Sequence, residues 1–226
     1  MALALLTMLW ACGGGGNPAC PEGMVRIPGG TAQIGVSGEA KPWQEAAREV
    51  TLPDYCIDQY EFPNEKGLKP RNQVSANEAG LLCEQKEKRL CSSVEWERAC
   101  RGPEGRTYSY GTSRNSETCN TPLDGVAPGS PPFPIANSGA HPDCRSPEGV
   151  YDLNGNLSEW VSDPWTGAPE PFQAEAVVEA ETWRTLRGGT MWRPTFYGQD
   201  CTSRHGHYMY SEHQDDGFRC CADVRD

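Results

Sequence analysis

Oxygen donors are concentrated in one eight-residue segment of this chain. Its four polar donors are Asp152, Asn154, Asn156 and Glu159. Calcium collects carboxylate and amide oxygens of this kind, together with backbone carbonyls. The spacing begins like an EF-hand loop, but the glycine stands at the fourth position and no helix pattern flanks the segment. We therefore expect a calcium site that is not an EF-hand. The alternative is a tight turn at Asn154 and Gly155, with Glu159 paired to an arginine.

Three of the four histidines lie close together near the C-terminus, at His205, His207 and His213. In an extended segment His205 and His207 would lie on the same side, so they could form a metal site with His213. However, residues 211–216 are polar or charged, which favours a solvated loop. We therefore expect exposed histidines rather than metal ligands.

The chain has eleven cysteines and no C-x-x-C pair, so zinc ribbons and thioredoxin-like redox sites have no support. This number of cysteines indicates an oxidising compartment. Residues 1–10 are apolar throughout, which is too short for a membrane span but typical of a signal peptide. The sequence therefore predicts an exported protein.

Residues 9–12, Leu-Trp-Ala-Cys, resemble a bacterial lipobox, in which the cysteine is lipidated and becomes the mature N-terminus. On this interpretation residues 1–12 are a lipoprotein signal, 13–21 a glycine-rich tether and 22–226 one domain. Cys12 would anchor the chain to a membrane of the cell envelope through its lipid, on the periplasmic or the surface face. An ordinary secretory signal cleaved nearby is the alternative.

Two helices are predicted among short strands. Ser75 and Ser92 each stand three residues before a glutamate, as in a capping box, and predict helices over 79–86 and 96–100. The candidate strands are 24–30, 55–62, 184–192 and 217–221. Residues 107–147 show little periodicity, and such a long irregular stretch needs a crosslink or a metal ion to hold it.

Composition limits the function classes. The formal net charge is −11, whereas binding along a nucleic-acid backbone needs a basic face, so nucleic acid is not an expected partner. The 25 Gly and 19 Pro indicate many loops, but 7 Trp, 8 Tyr and 5 Phe suffice for a core.

Several segments resemble the formylglycine-generating enzyme (sulfatase-modifying factor) family. Residues 88–102 are similar to its R-L-P-T-E-A-E-W-E-x-A-x-R-G signature, 151–160 to Y-D-M-x-G-N-x-W-E-W, 186–190 to R-G-G-S and 217–219 to G-F-R. The resemblance covers roughly residues 22–222. It implies a single α+β domain of the C-type-lectin-like kind, rich in loops and stapled by disulfides.

The resemblance implies the family's fold for this chain, but it does not imply the family's copper chemistry. The family oxidises a substrate cysteine with a copper-binding cysteine pair that follows R-G-G-S, but residues 190–200 contain no cysteine. Copper(I) requires soft thiolates, so neither copper nor formylglycine-generating activity is expected. The related iron sulfoxide synthases use three histidines and an additional helical domain, so iron is not expected either.

The resemblance makes the calcium prediction more specific. It implies that Asp152 and Glu159 bind the ion through their side chains, and Gly155 and Leu157 through main-chain oxygens. Calcium would then be a structural ion.

The resemblance also implies two disulfides, Cys83 with Cys220 and Cys100 with Cys201. Cys91 replaces a proline of the family and arrives together with Cys221, so we pair these two. Cys119 with Cys144 would hold the long loop, which leaves Cys20 with Cys56.

A possible substrate cleft is implied where the family builds its own, at Thr190, Trp192, Arg193 and Arg204. Aromatic and arginine side chains there could bind a peptide, a protein or a glycan, or could simply fill the space of the missing copper site. We therefore expect a lipid-anchored binding or accessory module without formylglycine-generating activity. The alternative is a metal-dependent oxidase, of the formylglycine-generating or a related kind, acting on protein substrates.

Overall fold

A computed structural model describes residues 19–121, 134–167, 182–189 and 198–225. Four residues of the predictions above lie outside these ranges: Cys12, Thr190, Trp192 and Arg193. Within the ranges, no helix has the length and apolar character needed to cross a membrane.

The described residues form ten short strands and two helices, joined by long irregular segments. The strands are β1 (Met24–Ile27), β2 (Gly30–Ile34), β3 (Arg48–Leu52), β4 (Tyr55–Asp58), β5 (Arg89–Leu90), β6 (Ser158–Pro164), β7 (Trp183–Arg187), β8 (Arg204–Tyr208), β9 (Asp216–Phe218) and β10 (Cys220–Asp223). The helices are α1 (Ala76–Glu84) and α2 (Ser93–Arg101). The fold is therefore a loop-rich α+β domain, as the sequence predicted.

Both helices begin at the serines that predicted them, although each starts three residues earlier than expected. Ser75 Oγ accepts a hydrogen bond from the Glu78 amide at 3.2 Å. At α2 the capping box is complete, because the Glu95 carboxylate also accepts the Ser92 amide at 2.8 Å. The caps satisfy amide groups that a helix cannot pair internally.

One sheet joins the two ends of the chain. Its strand order is β1-β4-β10-β5, with all neighbours antiparallel. All four residues of the central strand β4 are buried. Ala19, which lies inside the predicted tether, pairs with Arg225 beside this sheet.

A second sheet, with the order β8-β7-β6-β9, carries most of the residues discussed below. Strands β6 and β9 pair in parallel, whereas the other neighbours are antiparallel. The sequence predicted β7 and β9 but not β6 or β8. The first four residues of β6 are all buried, so they lack the polar–apolar alternation that identifies a half-exposed strand. A two-stranded ribbon, β2 with β3, completes the sheets among the described residues.

Two apolar clusters fill the space between these elements. One contains Trp96 of α2 with β4 residues, and the other contains Trp160 of β6 with α1 residues. Both tryptophans are fully buried, so their rings form part of the core.

Five disulfides staple the domain, and they join the same cysteines that the sequence interpretation paired. They are Cys20–Cys56, Cys83–Cys220, Cys91–Cys221, Cys100–Cys201 and Cys119–Cys144. Cys220 and Cys221 belong to different apolar clusters because successive side chains of a strand point to opposite faces. Adjacent cysteines in β10 therefore bridge outward to different elements.

Candidate functional site

The oxygen-rich segment forms a tight turn that leads into β6. Asp152 and Asn156 have left-handed backbone conformations, with φ of 60° and 58°. Gly155 has φ of 79°, and a Cβ atom there would lie 2.4 Å from the Asn120 carbonyl oxygen. Only glycine fits this close approach, so the turn depends on its position in the sequence.

The two asparagines of the turn are used for structure. Asn154 Oδ1 accepts the Ser109 amide at 2.8 Å, and its Nδ2 donates to the Gln199 carbonyl at 2.9 Å. Asn156 Oδ1 accepts from the Asn120 side chain and the Ala136 amide, at 2.8 and 2.9 Å. These bonds connect the turn to the irregular segments on either side of it.

Glu159 lies in a fully buried ion pair with Arg219. Arg219 Nη2 and Nε donate to its two carboxylate oxygens, each at 2.6 Å. The indole nitrogen of Trp96 also donates to Glu159, at 2.7 Å. Both side chains of the pair are at most 1% exposed. The bidentate geometry suits a buried charge pair, which must replace lost hydration with hydrogen bonds.

Glu61 is a third buried acid of this region, and it was not among the ligands predicted from the sequence. Its carboxylate accepts from Asn156 Nδ2 at 2.7 Å and from the Leu157 amide at 3.3 Å. Burial, followed by the charges of Asp152 and Glu159, raises the pKa of Glu61 well above its usual value. Its one signal in the sequence is its place between two aromatic residues, Tyr60 and Phe62, near the end of the candidate strand 55–62.

Asp152 is buried as well, and its Oδ2 accepts the Gly139 amide at 2.7 Å. Burial raises the pKa of Asp152 to about 6, while the Gly139 hydrogen bond acts in the opposite direction. We call Glu61, Asp152, Glu159 and Arg219 the buried charge centre. When ionised, it contains three carboxylates and one guanidinium, which leaves an excess of two negative charges.

The donor set fits a dication in part. The excess negative charge and the hard oxygens around Asp152 suit calcium. By contrast, both oxygens of Glu159 already accept hydrogen bonds from Arg219, whose positive charge would oppose a dication at that carboxylate. The structure therefore pairs Glu159 with an arginine, and the use of Asp152, Gly155 and Leu157 as calcium ligands stays a prediction.

Two of the C-terminal histidines are buried, so the prediction that all three are exposed was wrong for them. His205 and His207 lie in β8, where they are 2% and 8% exposed. His213 is exposed, and its ring stacks on His207 with centroids 4.3 Å apart. The nearby Asp216 was not selected from the sequence, although it directly precedes the Gly-Phe-Arg segment.

Arg204, predicted to line a cleft, is a buried residue. Its guanidinium lies 3.2 Å from a Glu45 oxygen and packs over the Trp165 ring at 4.7 Å. Burial lowers the pKa of Arg204. The other predicted cleft residues lie outside the described ranges, so the cleft itself stays a prediction.

These observations define a class: a loop-rich, disulfide-stapled α+β domain built around a buried charge centre. A sequence profile described as "Sulfatase-modifying factor enzyme 1-like domain" matches residues 63–224, more than half of the chain. The chain belongs to this sulfatase-modifying factor family, which confirms the resemblance seen in its motifs.

Two curated relatives from mouse match to a similar degree. The formylglycine-generating enzyme is 30% identical, and the match covers 68% of this chain and 44% of the relative. The inactive Cα-formylglycine-generating enzyme 2 is also 30% identical, over 68% of this chain and 49% of the relative. The chain thus spans less than half the length of each. Among solved structures, PvdO from Pseudomonas aeruginosa has the same fold, with a TM-score of 0.62, 20% identity and coverage of 89% and 94%.

The buried charge centre predicts a specific pH dependence of stability. Since the pKa of Asp152 is about 6 when folded and 3.8 in the reference state, the fold favours its protonated form. The stabilisation that protonated Asp152 gives to the fold is fully present below about pH 4 and is lost as the pH rises through 6. The shift between the two pKa values corresponds to a change in the free energy of unfolding on the order of 3 kcal/mol.

Asp152→Asn should remove this dependence, because the amide cannot ionise but can still accept the Gly139 hydrogen bond. Urea unfolding at pH 5 and pH 8, with a chelator present, measures the free energy of unfolding of both proteins. The wild type should lose more stability than the variant between these pH values, because the variant lacks the Asp152 carboxyl and also the part of the Glu61 pKa shift that the Asp152 charge causes. Equal losses would contradict the prediction.

Proposed function

We propose that this chain is an exported binding or accessory module of the sulfatase-modifying factor family without formylglycine-generating activity. One observation carries the proposal: the chain has no pair of cysteine thiols available for copper. Ten of its eleven cysteines form disulfides, and the eleventh is Cys12 near the N-terminus. Copper(I) chemistry needs soft thiolate ligands, for which the oxygen donors of the buried charge centre are no substitute.

The family assignment does not by itself decide between an active and an inactive protein. The two mouse relatives have the same identity to this chain, yet one is named as the enzyme and the other as inactive. The absence of cysteine from residues 190–200, directly after the Arg-Gly-Gly segment, supports the inactive alternative.

The direct test is an oxidation assay. The purified, disulfide-intact protein, supplied with copper, oxygen and a cysteine-containing sulfatase peptide, should give no formylglycine product detectable by mass spectrometry. Mouse formylglycine-generating enzyme under the same conditions is the positive control. Copper-dependent product formation by this chain would overturn the proposal and favour the oxidase alternative.

The proposal includes a structural calcium ion at Asp152, with main-chain oxygens of Gly155 and Leu157 as further ligands. The excess negative charge of the buried charge centre and the tight turn support this position. Calcium bound there would offset the repulsion between Asp152, Glu61 and Glu159. Because the geometry pairs Glu159 with Arg219, the contribution of Glu159 to calcium binding needs its own variant.

Calcium should therefore raise the melting temperature of the wild type. At about 100 times its Kd, the ion would add about 2.7 kcal/mol, or roughly 5–10 °C for a chain of this size. Asp152→Asn should abolish this increase. Glu159→Gln should destabilise the protein by about 3–5 kcal/mol with or without calcium, because it breaks a buried ion pair. If Glu159→Gln instead removes the calcium-dependent increase, Glu159 is a calcium ligand.

The membrane partner of the proposal is the lipid on Cys12. The lipobox-like residues 9–12 and the apolar residues 1–10 support it. Expression of the whole chain in a bacterial host should give a membrane-associated product whose N-terminal peptide carries acyl mass on Cys12. Cys12→Ser should release the protein into the soluble fraction without changing its disulfides. An unmodified Cys12 in a correctly exported protein would refute the anchor.

A further inference from the structure

A second cluster of ligand-type side chains lies on the sheet formed by β6 to β9, apart from the buried charge centre. His205 and His207 alternate along β8, so both lie on one face of the sheet. Asp216, from the first position of β9, joins them there. One potential ligand atom from each of the three lies within 4.8 Å of the other two, and all three residues are buried.

Asp216 has one carboxylate oxygen that no other described residue contacts through a hydrogen bond. Its Oδ2 lies 3.0 Å from His207 Nδ1, whereas its Oδ1 is buried and has no hydrogen-bond partner in the part of the chain that the structure describes. A buried carboxylate oxygen without a donor is costly. Burial accordingly raises the pKa of Asp216, although the His207 contact acts in the opposite direction. A cation bound by the Asp216 carboxylate and the His207 ring would replace the contact between Oδ2 and Nδ1 and would give the buried carboxylate a partner.

The surroundings hold these donors in place. Position 205 pairs across the sheet with Leu186, which itself pairs with Trp160. The Trp160 ring contacts His207 edge-on at 6.2 Å, and it belongs to the apolar cluster that includes α1. On the other side, the exposed His213 ring covers His207. Packed, partly apolar surroundings of this kind orient metal ligands and limit access of water.

The types of donor atom in the cluster indicate which metal ion it would bind. Two imidazoles and one carboxylate are ligands typical of zinc, while calcium prefers oxygen alone. Zinc bonds of 2.0–2.2 Å would place tetrahedral ligand atoms about 3.4 Å apart, so side-chain shifts of about 1 Å would close the set. Three protein ligands leave a fourth position for water or another ligand.

We propose that His205, His207 and Asp216 bind one zinc-class divalent ion. The site is separate from the calcium position at Asp152 and does not depend on the absence of formylglycine-generating activity. It would fix the end of β8 against β9 and present one open coordination position beside His213.

Cobalt(II) is a suitable spectroscopic probe, because it occupies zinc sites and absorbs visible light. The complete, disulfide-intact protein, first freed of metal by a chelator, should bind one equivalent of Co²⁺ that Zn²⁺ displaces. Asp216→Asn and His205→Gln should each weaken binding at least tenfold, as expected for the loss of a ligand. His141→Gln is the matched control, since it removes a histidine that does not belong to the cluster, and it should leave the affinity unchanged.

Asp216→Asn can still accept a hydrogen bond from His207, so it should preserve the fold, which near-ultraviolet circular dichroism checks. NMR of the histidine rings in the wild type does not depend on whether a variant folds. Zn²⁺ should shift the resonances of His205 and His207 but not those of His141. The proposal fails if the wild type shows no saturable one-to-one binding. It also fails if the folded variants bind as tightly as the wild type, or if His141→Gln weakens binding equally.

Discussion

The ion pair between Arg219 and Glu159 is the interaction on which the rest of the domain depends. Arg219 also donates to the carbonyl oxygens of Asp58 and Tyr151, at 3.2 and 2.8 Å. One guanidinium thereby joins the end of β4, the start of the oxygen-rich turn, strand β6 and the C-terminal segment. Arginine suits this role because its planar group has five donors and keeps its charge when buried.

The buried charge centre and the histidine cluster are two places where this fold gathers candidate metal ligands. Arg219 pairs with only one of three neighbouring acids, and burial raises the pKa values of the other two, Asp152 and Glu61. The histidine cluster, on β8 and β9 of the sheet that also contains Glu159, differs from the buried charge centre in the type of its donor atoms. The two proposals therefore give this chain two chemically distinct candidate metal sites, while residues 190–200 contain no cysteine. Oxygen-rich and imidazole-rich positions would not compete for the same ion.

Features that depend on residues close together in the chain could be predicted from the sequence directly. Contacts between distant residues could be predicted only through the resemblance to a known family. Ser75 and Ser92 located both helices because a cap and its partner are three residues apart. Glu61 and Asn156 are 95 residues apart, so no local pattern could show that they contact each other. Strand β8 was missed because its histidines resemble a solvated loop in composition, although the pairing with β7 buries them. The disulfide pairs followed chiefly from the order of family motifs, together with the pairing of the cysteines that remained.

The connectivity of the disulfides sets an order for assembly. Cys20–Cys56 and Cys119–Cys144 each join cysteines from the same part of the chain, so they can close soon after synthesis of their segments. The other three bridges all need a cysteine from residues 201–221. Both four-stranded sheets are likewise incomplete until β8, β9 and β10 are present. A chain interrupted before residue 201 would therefore expose three reduced cysteines and unpaired edges of β4, β5, β6 and β7, which makes the C-terminal segment a natural checkpoint for quality control.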